Sequence, residues 1–381
     1  MDVSGATEVQ PEGNVSMNRT SFRARGIRFA AVAGATALVM AGCSHKTTAN
    51  KPAGTSTSAP AASAAPPVCL LTGQPAPGGT VPNRPALAIK VENSPESRPP
   101  TGLDTADIVY EEAVEGGITR FVVVYQCRDA ARVEPVRSAR LEDTDILSQF
   151  GKPLFGDAGG SPPTEAALTA AEKAGTLVRV SSFGPAGGAY HRDPARHNDV
   201  HSLYTSTQEL YSRPEARGLP APKPVFPYSP SAPAGGIPGA SVHVGFSQYS
   251  DVVWKWDAGS STYKRYYGTT PANDSAGKQI STTNVIVQSV AVTMSTFIED
   301  PSGSHQPIAT LVGSGASLVC RGGTCVPGTW HRPLPSDITT YADASGTPVP
   351  LAPGPTWVEL APTSVTGTGP IPVAQVTATA H

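Results

Sequence analysis

The pattern of apolar and polar positions predicts a chain built largely from strands. In the first half, residues 85–93 alternate apolar and polar side chains, and residues 119–126 form a run of Val, Phe and Tyr, so both segments are predicted strands. Helices are predicted at 141–150 and at 163–174, where Gly175 supplies a C-terminal cap. Because strands and helices alternate, we predict an N-terminal α/β domain.

The second half shows strand patterns separated by turns. The predicted strands are 241–246, 252–257, 263–267, 284–293, 310–319, 338–341 and 356–360. We therefore predict a mainly antiparallel β C-terminal domain, and an α+β fold behind a disordered lipidated tether. The predicted organisation is a signal peptide with lipobox (1–42), an Ala/Ser/Thr/Pro tether (43–67), an N-terminal α/β domain (68–215), a Pro/Gly-rich linker (216–239), a C-terminal β domain (240–362) and a disordered tail (363–381).

Charged residues concentrate around the predicted strand at 119–126. The preceding segment places several carboxylates beside a short apolar run and then turns at a double glycine, Gly116-Gly117. Arginines follow at the start of the strand and shortly after its end. Because buried charges must be paired, this concentration predicts a polar site. The candidate ligand-binding residues are Asp107, Glu111, Glu115, Arg120, Arg137, Arg140 and His201.

The overall charge argues against one class of partner. The 381 residues include 15% charged side chains and carry a formal net charge of −2, so no basic footprint indicates nucleic acid. His191, His197 and His201 lie close together, but their spacing matches no known metal motif, and we interpret them as solvated or structural. We predict no metal and no cofactor, and the oligomeric state stays open.

The N-terminal segment has the features of a bacterial export signal. Arginines precede an apolar stretch at 29–41, which is too short to span a bilayer comfortably. The sequence Met40-Ala41-Gly42-Cys43 resembles a lipobox, so we predict lipidation of Cys43 and anchoring to the outer face of the cytoplasmic membrane, at the cell wall. The alternative is an ordinary signal peptide followed by a chance cysteine. Translation starts at either Met1 or Met17.

Four cysteines remain after Cys43. Cys320 and Cys325 flank Arg-Gly-Gly-Thr, whose double glycine supplies a tight turn, so we predict a disulfide across a hairpin. By elimination, Cys69 and Cys127 would form the second disulfide and tie the incoming segment to the end of the central strand. The alternative is a metal site formed by these four cysteines, although their spacing matches no standard zinc pattern.

Several motifs between residues 70 and 362 are specific enough to indicate a family. They include Ala-Asp-Ile-Val-Tyr-Glu (106–111), Val-Glu-Gly-Gly-Ile-Thr-Arg (114–120), Pro-Val-Arg-Ser-Ala-Arg (135–140), Gly-Gly-Ser (159–161), Leu-Tyr-Thr (203–205), Tyr-x-Arg (263–265), Asn-Val-Ile-Val (284–287) and Gly-Pro-Thr-Trp-Val (354–358). On these motifs the chain resembles the YerB-like bacterial lipoproteins, which carry the domain of unknown function 3048. The family has Pro-His-Asn before Leu-Tyr, whereas this chain has Val200-His201-Ser202. The resemblance implies an extracytoplasmic lipoprotein with an N-terminal α/β and a C-terminal β domain, and it implies no activity.

Three functions are compatible with the charged residues, and whether the protein is an enzyme stays open. In the first, the arginines bind carboxylate or phosphate groups of a cell-wall glycan, peptide or other anionic ligand. In the second, Glu111 or Glu115 is the general acid of a glycan-cleaving enzyme, which needs a second carboxylate about 5–9 Å away. In the third, the cluster is a structural network of ion pairs. We favour the first. A single open cleft would support binding or catalysis, and a closed network would support a structural role.

Overall fold

The centre of the fold is a group of short strands that are buried on both faces of a sheet. Strand β1 (Leu87–Glu92) pairs antiparallel with β3 (Thr119–Tyr125), which in turn pairs antiparallel with β2 (Ile108–Ala113). All residues of these strands are buried, which suits their content of Val, Ile and Phe. Other parts of the chain must therefore cover both faces.

The structure is a computed structural model that describes residues 66–196, 200–300, 302–367, 369 and 371–380. All of these residues belong to one compact unit, Ser63–His381. The predicted signal peptide, the candidate lipidation residue Cys43 and nearly all of the predicted tether lie outside the described residues. Among the helices that the structure describes, none has the length and apolar character needed to cross a membrane.

The described part of the chain is mostly β with few helices. The α-helices are α1 (Asp143–Ser148), α2 (Pro162–Ala174) and α3 (Thr207–Ser212), and the described residues also contain short 3-10 helices. The remaining strands are β4 (Leu154–Gly156), β5 (Val178–Arg179), β6 (His191–Arg192), β7 (Leu203–Tyr204), β8 (Ile237–Pro238), β9 (Ser241–Gly245), β10 (Asp251–Asp257), β11 (Thr262–Tyr267), β12 (Thr270–Pro271), β13 (Ser281–Thr282), β14 (Asn284–Ile298), β15 (His305–Ala309), β16 (Gly313–Arg321), β17 (Thr324–Arg332), β18 (Thr340–Asp343), β19 (Thr356–Thr366) and β20 (Gln375–Thr379).

A large mixed sheet contains strands from both halves of the chain. Its order is β18-β17-β16-β14-β19-β2-β3-β1-β4-β5, and β15 and β8 pair with β14 and β17. Strand β2 of the first half lies parallel to β19 of the second, and β14 is also parallel to β19. The predicted α/β character of the N-terminal half is therefore not confirmed, and the strands of the C-terminal half are not all antiparallel. Local patterns identify strands but do not determine which strands become neighbours.

A second sheet has the order β12-β11-β10-β9-β20, with β13 paired to β11. Strand β20 lies within the segment 363–381, for which we predicted a disordered tail, so the structure corrects that prediction for these residues. The physical reason is that β20 supplies hydrogen-bonding partners along the edge of β9, with which it pairs antiparallel. Within the predicted linker 216–239, β8 pairs with β17. The other domain boundaries stay predictions.

Several local predictions are confirmed. The strand at 119–126 corresponds to β3, and the helix at 163–174 corresponds to α2. Gly175 ends α2 with a φ of 74°, a conformation that glycine adopts without steric cost. Both predicted disulfides are present, Cys69–Cys127 and Cys320–Cys325.

Candidate functional site

The predicted site residues do not line one cleft, because they lie in three separate places. Asp107 precedes β2 and accepts hydrogen bonds from the backbone N–H groups of Gln126 (2.6 Å) and Cys127 (3.0 Å). Burial raises the pKa of the Asp107 carboxyl, although these hydrogen bonds oppose the effect. Asp107 therefore fixes the chain where it leaves β3.

Glu111 and Arg120 lie on opposite faces of the large sheet. In the pairing of β2 with β3, Glu111 is opposite Phe121, and Arg120 is opposite Glu112. Since successive side chains of a strand point to opposite faces, Glu111 and Arg120 cannot contribute to the same site.

The face with Glu111 holds a sealed ion pair. The Glu111 carboxylate accepts hydrogen bonds from Arg265 on β11, from the Thr119 hydroxyl (2.7 Å) and from the indole N–H of Trp357 (3.2 Å). The Arg265 guanidinium lies 4.6 Å from the ring centroid of Tyr267 and 5.3 Å from that of Trp357. Both charged side chains have no exposed surface. Solvent and ligands therefore have no access to this pair.

A second carboxyl group lies beside this ion pair. Glu359 is opposite Glu111 in the pairing of β19 with β2, and it accepts a hydrogen bond of 2.7 Å from the indole N–H of Trp254. Burial raises the pKa of Glu359 well above its usual range, and the negative charge of Glu111 raises it further. Arg265 and Glu359 were not among the predicted site residues, although alternation along β11 puts Arg265 on the same face as the buried Tyr263.

On the other face, Glu92 is surrounded by basic side chains. Its carboxylate lies 3.5 Å from Nε of Arg120 and 3.7 Å from Nδ1 of His201, and it also pairs with Nε of Arg137. Burial by itself would raise the pKa of Glu92, but Arg120, His201 and Arg137 lower it to about 2. Glu92 therefore links three of the predicted site residues, although it was not itself among them.

Glu115 forms the next link of the same network. Arg140 donates from Nε to Oε2 of Glu115 at 2.9 Å and from Nη2 to Oε1. Arg120 lies 3.8 Å from Oε1 of Glu115, and Nη1 of Arg140 lies 3.3 Å from Glu299. Arg120 therefore bridges Glu92 and Glu115.

A second buried cluster of charged side chains, centred on Lys90, lies on the same face of the sheet. Lys90 pairs with Glu112 and, at 2.8 Å, with Asp143. Burial raises the pKa of Glu112 to about 7, because desolvation and the charge of Asp143 outweigh the attraction of Lys90. Lys90 and Asp143 were also absent from the predicted site.

Solvent reaches this network at one end. The side chains of Arg137 and His201 are 24% and 22% exposed, whereas Glu92 is 1% exposed. Glu115 is 7% exposed, so neither proposed general acid is open to a polymer substrate. Within the ranges that the structure describes, no cluster of His, Cys, Asp and Glu could hold a metal ion.

The fold and this site define a mostly β protein whose central charges form buried ion pairs. The family model described as the N-terminal domain of "Protein of unknown function (DUF3048)" matches residues 71–220, and the model of its C-terminal domain matches residues 242–358. The chain therefore belongs to the DUF3048 family, which confirms the resemblance noted in its motifs.

Relatives of the chain include a protein of Bacillus subtilis (strain 168) named "Putative lipoprotein YerB". It is 28% identical over 288 residues, which cover 74% of this chain and 82% of that protein. The crystal structure of YerB protein from Bacillus subtilis matches with a TM-score of 0.62 at 22% identity, over 77% of this chain and 96% of that one. At this level of identity the structural likeness shows the fold alone.

Proposed function

We propose that this protein is a membrane-anchored lipoprotein of the bacterial cell envelope that binds an anionic cell-wall polymer. Family membership and the name of the Bacillus subtilis relative support a lipoprotein. The sequence before Cys43 supports a lipid anchor at that residue, on the outer face of the cytoplasmic membrane. The polymer would contact the surface around Arg137 and His201, which we name the cationic surface.

One observation supports this ligand class. At the cationic surface the Arg137 guanidinium and the His201 imidazole are partly exposed, while the carboxylate that they share, Glu92, is buried. The exposed Arg192 adds a further positive group, since it donates to the hydroxyl of Ser202, the neighbour of His201. A polymer with phosphate or carboxylate groups would therefore contact the guanidinium groups of Arg137 and Arg192 and not the buried Glu92. An arginine can bind such a group through two parallel hydrogen bonds.

The same geometry argues against glycan cleavage by the predicted carboxylates. Glycoside hydrolysis needs two carboxyl groups that reach the scissile bond from opposite sides. Glu111 is sealed behind Arg265, and Glu115 is bound by Arg140. We therefore propose binding without cleavage.

The test is a sedimentation assay with isolated cell walls and the full-length protein in detergent. We expect Arg137→Lys to weaken binding about tenfold, equivalent to about 1.4 kcal/mol, because lysine cannot form a bidentate contact. The matched control is Arg84→Lys, since Arg84 is also partly exposed and paired, with Asp129 at 2.8 Å. The proposal would be contradicted if the wild-type protein bound equally well to intact walls and to walls stripped of their phosphodiester and carboxylate polymers. It would also be contradicted if Arg137→Lys bound to intact walls as tightly as the wild type does.

A further inference from the structure

A cleft of about 660 Å³ lies between the start of α2 and the loop that follows β5. Its walls include Ser138, Gly160, Glu165, Arg179, Ser181 and Phe183. Arg137 and His201 do not line it, so it is distinct from the cationic surface.

Phe183 presents an aromatic ring at the rim of this cleft. Its side chain belongs to a residue that is 82% exposed, in a turn where the N–H of Gly184 donates to the carbonyl of Ser181 at 3.2 Å. The ring lies against Gly159, where a Cβ atom would come within 3.0 Å of it and where φ is +78°. Glycine at 159 therefore leaves room for the ring, and most of the ring surface faces solvent.

Planar polar groups in the same cleft are held in fixed positions. Arg179 donates to both oxygens of Asp157 at 2.8 and 2.7 Å and to both oxygens of Glu165 at 2.5 and 2.7 Å. Asp157 is fully buried, whereas the Glu165 side chain is 39% exposed. Glu165 can therefore accept further hydrogen bonds from a ligand while Arg179 holds it in place.

We propose that this cleft binds a neutral saccharide, with one sugar ring stacked on Phe183 and its hydroxyl groups hydrogen-bonded to Glu165. A sugar ring has an apolar C–H face and a rim of hydroxyls, so it matches one exposed aromatic ring beside a fixed carboxylate. The carboxylates of Asp157 and Glu165 together carry one more unit of charge than the guanidinium of Arg179. Glu172 adds another negative group at the wall of the cleft, and this excess of negative charge disfavours an anionic ligand. A protein partner would need a larger contact surface than a cleft of this size offers.

The inference that the saccharide comes from the cell wall rests on the proposed function, whereas the sugar chemistry of the cleft stands on the residues above. The two ideas can fail separately. Arg137→Lys tests the cationic surface with anionic polymer, and it should leave binding of a neutral sugar unchanged.

The experiment is a calorimetric titration of the full-length protein in detergent with a neutral hexamer of β-1,4-linked N-acetylglucosamine. We expect wild-type protein to bind, Phe183→Ala to bind at least tenfold more weakly, and Phe183→Trp to retain binding because it keeps an aromatic face. Leu334→Ala is the matched control, since Leu334 is 58% exposed and does not line the cleft. Glu165→Gln should also weaken binding, because it replaces a carboxylate acceptor by an amide. Undetectable binding by the wild type at millimolar hexamer, or equal binding by Phe183→Ala, would overturn the proposal.

Discussion

Arg265 donates from one guanidinium nitrogen to both carboxylate oxygens of Glu111, at 2.9 and 2.8 Å. Arg265 belongs to β11 of the second sheet, and Glu111 belongs to β2 of the large sheet. The ion pair therefore fastens one sheet to the other inside an aromatic shell that excludes water. Because both groups are fully buried, each depends on the other for its charge to be tolerated.

Replacing one partner of this pair should destabilise the protein strongly. We expect Arg265→Met to lower the free energy of unfolding by about 3–5 kcal/mol, because Glu111 would be left buried without its cation. Lys264→Met on the same strand is the control, since Lys264 is partly exposed and lies 4.0 Å from Asp257. That change should cost less than about 1 kcal/mol. Denaturant unfolding measures both, and similar losses for the two variants would contradict this account.

The pKa of Glu92 predicts how stability depends on pH. The folded-state pKa of Glu92 is lowered from 4.5 to about 2, so the unfolded state binds a proton first as the pH falls. Glu92 therefore contributes stability above pH 4.5 that is lost between pH 4.5 and about 2. The loss is on the order of 3 kcal/mol. Glu92→Gln should show a shallower fall in unfolding free energy over this range, and an unchanged slope would refute the assignment.

Local sequence patterns predicted individual strands and helices, but they did not predict the contacts between distant segments of the chain. Strand β3 and helix α2 follow from their own periodicity, and the C-terminal end of α2 follows from the backbone freedom of Gly175. The candidate residues do not all share one site, because Glu111 points away from the face that holds Arg120, which only the pairing register reveals. Arg265 lies far along the chain, in a second sheet whose position no local pattern specifies.

The two disulfides should differ in their effects on stability. Cys69–Cys127 closes a loop with a sequence separation of 58, and Cys320–Cys325 closes one of 5. The chain-entropy model gives about 4 kcal/mol for the longer loop and about 2 kcal/mol for the shorter one. Replacing each pair by Ala and measuring unfolding without reductant tests the order. A larger loss for the Cys320–Cys325 variant would contradict the loop-entropy explanation.

Anchoring should depend on Cys43. Lipidation adds acyl chains whose burial in the bilayer retains the protein in the membrane fraction. We expect Cys43→Ser either to release the protein from that fraction or to leave its signal peptide uncleaved, as measured by fractionation and mass spectrometry. Detergent-dependent membrane partitioning of a processed Cys43→Ser protein, equal to that of the wild type, would rule out the lipid anchor.

Arg137 and Arg140 are three residues apart, but each pairs with a different carboxylate. Arg137 pairs with Glu92 at the cationic surface, while Arg140 makes a two-point contact with Glu115 and is 3% exposed. We therefore expect Arg140→Lys to lower the unfolding free energy by about 2 kcal/mol or more, since lysine cannot satisfy both oxygens of a buried carboxylate. Arg137→Lys should change it by less than about 1 kcal/mol, because the partly exposed side chain can rearrange. Urea unfolding of both variants measures which substitution lowers the unfolding free energy more. If Arg137→Lys proves the more destabilising, the cationic surface is part of the scaffold, and the case for polymer binding there loses its main support.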